Sequence, residues 1–268
     1  MQNYICATCG VQYTASEHPP EQCIICEDER QYVGQNGQQW TTLEELRQKH
    51  HNTFNTLIPG LTSIVSEPII ALGQRTHLVQ TPSFNVLWDC ITLIDDATVQ
   101  KVQAMGGIAT MAISHPHYYS TIVEWSHELG NVPIYIHEAE RQWVTRPDPV
   151  VRLWEGESCT LADGLTLVRC GGHFDGSSVL HWRDGLDGKG ILLTGDTISV
   201  VSDRRYVSFM YSYPNLVPLS PAKVEHIVRS IEPLNFEQVY DAFGRIVPQD
   251  GKEAVRRSAD RYIKTIQG

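Results

Sequence analysis

From about residue 60 the chain becomes a succession of short apolar runs broken by Gly, Asn and Asp. LTSIVSEPIIAL, THLVQT and FNVLWDCI read as strands, with turns at LGQR and TPS. DDATVQKVQAMG predicts a helix capped by Asp95 or Asp96 and ended at Gly106–Gly107. IATMAISH is then a strand. YSTIVEWSHELG is an amphipathic helix with Ile122, Trp125 and Leu129 on one side, and NVPIYIHEA is a strand. The second half repeats this grammar. LTLVRCGGH and SSVLHWR are strands around a glycine-rich corner, and GKGILLTGD is a strand ending in a polar pair. SPAKVEHIVRSIEPL predicts a helix with Pro221 near its start, FEQVYDAFG a strand, and GKEAVRRSADRYIKTI a last helix. Strand clusters with intervening and terminal helices, in two comparable halves, predict an α/β fold with helices on the outer faces of sheets.

Upstream the pattern differs. TTLEELRQKHHN has a helix start signal, Thr41 or Thr42 ahead of Glu44 and Glu45, and predicts a helical linker within residues 39–59. His50 and His51 near its end are read as favourable to the helix terminus, not as ligands. Residues 1–38 have few large aliphatics, so this module must fold on something other than a core. CATCGVQYTASEHPPEQCIIC supplies it: Cys6, Cys9, Cys23 and Cys26 form two C-x2-C pairs thirteen residues apart. Paired thiolates at this spacing suit a tetrahedral structural zinc, whose ligation energy becomes folding energy. Two disulfides are a competing reading, and iron in place of zinc is another. The remaining cysteines, Cys90, Cys159 and Cys170, sit among apolar neighbours as reduced core residues.

Composition narrows the partners. The 268 residues are 41% hydrophobic, enough for a sizeable core in residues 60–268. A formal charge of -10 disfavours a nonspecific grip on nucleic acid or an anionic membrane. No run approaches a transmembrane span, and MQNYICATCG lacks a basic region followed by an apolar one, so a cytoplasmic protein is expected.

Metal ligands belong at strand ends, where loops converge, and the chain offers three such points. ISHPHYYS places His115 and His117 one residue apart after an apolar run; RCGGHFDGSS places His173 after two glycines; ILLTGDT ends a strand at Asp196. Three imidazoles and a carboxylate suit zinc, or iron or manganese with less preference. In this order and context the chain from about residue 60 resembles the metallo-beta-lactamase superfamily. That resemblance implies an αββα sandwich with metals between two sheets. It implies that His115 and His117 stand for the start of the H-x-H-x-D-H motif, His173 for the third histidine, and Asp196 for the metal-bridging aspartate. FNVLWD is similar to the family's early strand ending near an acidic residue, here Asp89. The N-terminal module resembles a zinc ribbon or rubredoxin-like unit.

The departures fall together. Tyr119 and Ser120 stand where the family motif has Asp and His, and Phe243, Gly244 and Arg245 occupy the region of its final histidine. In the family these missing groups form a second metal site, so the resemblance implies one ion at most here. Zinc on three histidines with an open position lowers the pKa of water and supports attack on an ester, thioester, lactone, amide or phosphoester. Asp196 is the candidate base or fourth ligand, and Asp175 a second base candidate whose alternative is a turn cap before Gly176. Tyr119 is a hydrogen-bond donor to an oxyanion and a weak base. The aromatic stretch VSDRRYVSFMYSYPNLVPLSP reads as a substrate rim, a packed loop or a homodimer contact. The expected function is therefore a hydrolase acting on a small molecule. The alternative is a non-enzymatic binding or regulatory protein keeping half of the old metal centre.

Overall fold

A computed structural model describes residues 1–268. The chain divides into two compact units, Met1–Ile136 with Arg141–Leu153, and His137–Glu140 with Trp154–Gly268. The seven-stranded sheet follows chain order: β1 (His51–Ile58), β2 (Leu61–Glu67), β3 (Thr76–Val79), β4 (Val86–Trp88), β5 (Thr110–Ala112), β6 (Ile134–His137) and β7 (Val151–Trp154). β1 to β4 pair antiparallel, whereas β4, β5 and β6 run parallel. β2 to β5 are almost wholly buried, Thr62, Ser63, Thr76 and His77 included. The parallel step has a consequence for function. Trp88 pairs with Ala112, so Asp89 and Ser114 leave the sheet at the same end.

The stretch around residue 45 corrects the sequence reading. Helix α1 spans only Leu43–Arg47, with the expected capping box between Thr42 and Glu45. It does not reach His50 and His51, because the chain turns there into β1, an edge strand with both faces partly exposed. Its Thr- and Asn-rich sequence lacks a clean alternation, which hid the strand. Helix α2 (Asp96–Ala104) is capped by Asp95, whose side chain accepts from Thr98 N at 2.8 Å, and α3 is Ile122–Glu128.

The second unit holds the six-stranded sheet β8 (Ser158–Ala162), β9 (Leu165–Arg169), β10 (Ser178–Trp182), β11 (Ile191–Leu193), β12 (Gln238–Tyr240) and β13 (Ile246–Val247). β11 and β12 are parallel; the other neighbours are antiparallel. Helix α4 (Pro221–Ile231) is capped by Ser220 and buries Val224, Ile227 and Ile231, one face at helical spacing. Each such side chain contributes about 1.5–3 kcal/mol when fully buried. Helix α5 (Gly251–Gln267) buries Ala254, Val255 and Ala259 in the same core, with Val168, Leu192 and Val239 from the sheet. Here too the parallel pair matters: Leu193 pairs with Tyr240, so the loops carrying Asp196 and Asp241 leave together.

Candidate metal centres and family

The four cysteines converge as their spacing predicts. Cys6 Sγ lies 3.6 Å from Cys26 Sγ, and Cys9 Sγ 3.6 Å from Cys23 Sγ. A disulfide needs about 2.05 Å. A tetrahedron of sulfurs about 2.3 Å from zinc has edges of about 3.8 Å, so the set fits one ion. Both knuckles turn tightly, with Gly10 N donating to Cys6 O at 2.8 Å and Glu27 N to Cys23 O at 3.0 Å. Gln38 supports the cluster by donating Nε2 to Cys6 Sγ at 3.2 Å and accepting from Cys23 N at 3.3 Å. Gly10 has φ +83, and a Cβ there would meet Thr92 Oγ1 at 2.2 Å. The first knuckle therefore sits directly on the body of its own unit. Of the other cysteines, Cys90 and Cys170 are buried thiols and Cys159 is half-buried.

His115 leaves β5 in extended conformation and begins the single 3-10 turn Pro116–Tyr118, which presents His117. The two rings lie 5.0 Å apart at 72°. Behind them is a relay the sequence only hinted at. Asp89 is buried with φ +61, and its Oδ1 accepts from Ser114 N at 2.8 Å. Ser114 Oγ in turn is 2.8 Å from His115 Nδ1, which leaves Nε2 as the donor atom for an ion. Gln74 holds the next position by donating Nε2 to the His117 carbonyl at 2.9 Å.

In the second unit, His173 sits in a corner that only glycines allow. Gly172 has φ +86, and a Cβ on it would meet Ile227 Cδ1 at 2.8 Å. The corner closes through Cys170 N and Gly171 N, which donate to Ser177 O at 2.8 and 2.9 Å. Ser177 Oγ accepts from Phe174 N at 2.8 Å. The buried carboxylate of Glu140 accepts from Gly176 N, and a Cβ at Gly176 would meet both Glu140 and His137 within 2.9 Å. His173 Nδ1 bonds the Tyr211 carbonyl at 2.8 Å. A carbonyl only accepts, so the ring hydrogen is on Nδ1 and the Nε2 lone pair is available. That Nε2 lies 4.0 Å from Asp196 Oδ2.

His115, His117, His173 and Asp196 each offer a ligand atom, and these atoms all lie within 4.8 Å of one another. All four residues are buried. The donor set fits a divalent ion: two imidazoles whose Nδ1 atoms are engaged elsewhere, a third imidazole and a carboxylate.

No family model matches the chain. A protein of Bacillus subtilis (strain 168) described as "Uncharacterized protein YmaE" is 52% identical over 268 residues, spanning 99% of this chain and 97% of that one. The chain belongs to the YmaE family. Among solved structures it is similar to the DIM-1 metallo-beta-lactamase, with a TM-score of 0.61 at 13% identity over 81% of this chain and 98% of that one. The FIM-1 metallo-beta-lactamase of Pseudomonas aeruginosa in its mono-zinc form gives 0.58 at 17% identity, over 80% and 96%. These likenesses establish the fold: a metallo-beta-lactamase-type αββα sandwich with an N-terminal four-cysteine module.

Against that fold, the departures of this YmaE-family chain acquire specific roles. Ser120 has φ +36; its Oγ donates to Cys90 O at 3.1 Å and its carbonyl accepts from Gln12 N at 2.9 Å. Tyr119 is buried and borders a small cavity with Gln12, Ser120 and Arg146. Ser120 therefore meets the four-cysteine module through its carbonyl, and Tyr119 lies beside the same cavity. Asp175 is outside the donor group; it is exposed, and its carbonyl accepts from Arg169 Nε at 2.9 Å. In the region of the family's final histidine, Asp241 accepts from Phe243 N, Arg245 N and Val200 N at 3.0, 2.8 and 3.1 Å. Burial pushes its carboxyl above the ordinary value, and the three N–H groups offset part of that rise. Arg245 is exposed and donates Nη1 to Val200 O at 3.3 Å.

Tyr213 is the supporting residue that sequence reasoning placed only in an undifferentiated aromatic loop. Its ring packs edge-on against His173 at 5.7 Å, and its hydroxyl donates to the Asp196 carbonyl at 2.9 Å. Burial pushes the phenol well above its ordinary pKa, and the Asp196 charge adds to this. It is thus a fixed donor. Glu140 was missed because no spacing rule ties residue 140 to residue 176.

No helix is long and apolar enough to cross a membrane.

Proposed function

We propose that the protein is a metal-dependent hydrolase acting on a small molecule with an ester, thioester, lactone, amide or phosphoester bond. A single ion, zinc by preference, would be held by His115, His117, His173 and Asp196, and the four cysteines would hold a second, structural zinc. The convergence of three buried imidazoles and a carboxylate within 4.8 Å is the supporting observation. When bound, such an ion supplies a water acidified towards neutral pH and a Lewis acid for the substrate oxygen.

The residues divide the remaining work. Ser114 and the Tyr211 carbonyl engage the Nδ1 atoms of His115 and His173, and so orient the two rings with Nε2 as the ligand atom. Asp196 would be the fourth donor, with water entering as a fifth ligand, and its carboxylate would orient that water. It suits base work better than Asp175, because Asp175 is exposed and outside the group. Tyr119 is proposed as a hydrogen-bond donor towards developing negative charge.

A panel of ester, thioester, lactone, amide and phosphodiester substrates, run on protein with measured metal content, tests this reading. Turnover that disappears in His117→Ala while the cysteine site stays loaded supports it. A metal-loaded, folded protein inert across the panel supports the binding-protein alternative instead.

A further inference from the structure

Ser120, one of the residues standing at the family's second metal site, is tied to the four-cysteine module through the backbone of one buried residue. Gln12, three residues after Cys9, is 3% exposed. Its backbone N donates to Ser120 O at 2.9 Å, three residues after His117. Its carbonyl accepts from Thr145 Oγ1 at 2.7 Å. Its side-chain Nε2 donates to Glu124 Oε1 at 3.3 Å, and its Oε1 accepts from Arg146 Nη1. Arg146 Nη1 also donates to Glu124 Oε1 at 2.6 Å, closing the network on α3. A second link runs from the same knuckle, where Thr92 Oγ1 donates to Gly10 O at 3.5 Å and Thr92 O accepts from Thr121 Oγ1 at 2.7 Å.

We propose that Gln12 is a positioning residue through which the loaded four-cysteine module fixes the His115–His117 turn and sets how tightly the histidine centre holds its ion. The proposal rests on the reading that this centre takes a metal. Its physical basis is the shortness of the turn. Pro116–Tyr118 is one 3-10 turn with no core of its own; Gln74 anchors it at the His117 carbonyl and Gln12 at the Ser120 carbonyl. Gln12 is placed jointly by the knuckle preceding it and by its bonds to Glu124, Thr145 and Arg146, and a module with so few large apolar residues is ordered by its metal. Ser120 cannot act as an imidazole ligand, but in its strained conformation it gives the module a carbonyl to grip.

The test uses the full chain loaded with cobalt(II) at both sites. The sulfur-to-metal charge-transfer band reports the cysteine site, and the ligand-field bands with chelator competition report the histidine site. In Gln12→Ala, which removes the side-chain bonds to Glu124 and Arg146 that hold the Gln12 N–H against the Ser120 carbonyl, the account expects an unchanged thiolate band, altered ligand-field bands, and histidine-site affinity weakened roughly tenfold or more. Affinity within about twofold of wild type, with the thiolate band intact, overturns it, because such positioning effects are larger than that. If Gln12→Ala does not fold, Arg146→Met removes the same clamp from outside the module and is judged by the same criterion. A purely structural role would lower the melting temperature but leave the ligand-field bands of the folded protein unchanged. Wild-type protein that takes cobalt only at cysteine overturns the functional reading and this proposal together, and shows it before any variant is made.

Discussion

The two candidate centres are built on opposite plans. All four cysteine ligands come from one short segment, Cys6 to Cys26, and two tight knuckles bring them together. The histidine centre draws its candidate ligands from His115 to Asp196, and each is held from behind by a group far away in sequence: His115 by Asp89 through Ser114, His117 by Gln74, His173 by Tyr211 and Asp196 by Tyr213. In the first, a bound ion would make the structure. In the second, the structure exists first, from buried strands and parallel steps, and the ion would be its guest. The two sites should therefore respond differently to damage.

The largest effect is expected at the cysteines. Cys9→Ala should remove one equivalent of metal and destabilise the N-terminal module by several kcal/mol, since structural zinc in small units is worth about 10–16 kcal/mol. Protease sensitivity confined to the first forty or so residues would confirm it; full metal content with unchanged stability would break the contrast.

Acid separates the centres less cleanly, because protons compete for both donor sets. A buried imidazole outside both donor sets, His77, helps. Burial, with Arg75 adding, pushes the His77 pKa down to about 3, against about 6.5 unfolded. Between those values the unfolded chain binds the extra proton, so stability present above pH 6.5 is lost as the pH falls towards 3. Denaturant midpoints at pH 7 and pH 5, measured in a His117→Ala background, should differ less once His77 is also changed to Gln. An equal pH dependence in both proteins would remove His77 from the acid limb.

Two smaller changes probe the scaffold behind His173. Gly176→Ala places a methyl against Glu140 and His137, and overpacking of this kind costs about 1–3 kcal/mol. It should weaken histidine-site metal while sparing the cysteine site. Tyr213→Phe deletes only the hydroxyl bound to the Asp196 carbonyl, a loss of about 1 kcal/mol. A melting-temperature drop with no change at the cysteine site is the expected outcome; a drop at both would mean the centres are not separately built.

The same contrast governs what the sequence revealed. The cysteine site was legible because its chemistry is local: spacing alone predicts the knuckles. The four ligands of the body were legible as strand-end residues, since the burial of β5, β9 and β11 shows as apolar runs ending at His115, His173 and Asp196. Their support was not. Ser114 bonding His115, Glu140 under Gly176 and Tyr213 against His173 depend on tertiary placement that no periodicity encodes. Strand β1 escaped for a related reason: an edge strand exposed on both faces leaves no apolar alternation to read. Tyr119 and Ser120 were visible as substitutions, but that Ser120 gives the cysteine module a carbonyl to bond emerged only from the Gln12–Ser120 contact.

The central claim is that the body holds an ion of its own, in addition to the one at the cysteines. Metal content of wild-type protein, His117→Ala and Cys9→Ala, counted per chain after equilibration with zinc and desalting, tests it most directly. The account predicts two equivalents in wild type and one in His117→Ala, with all of the latter bound by thiolate. A wild-type protein holding a single, wholly thiolate-bound equivalent would contradict it.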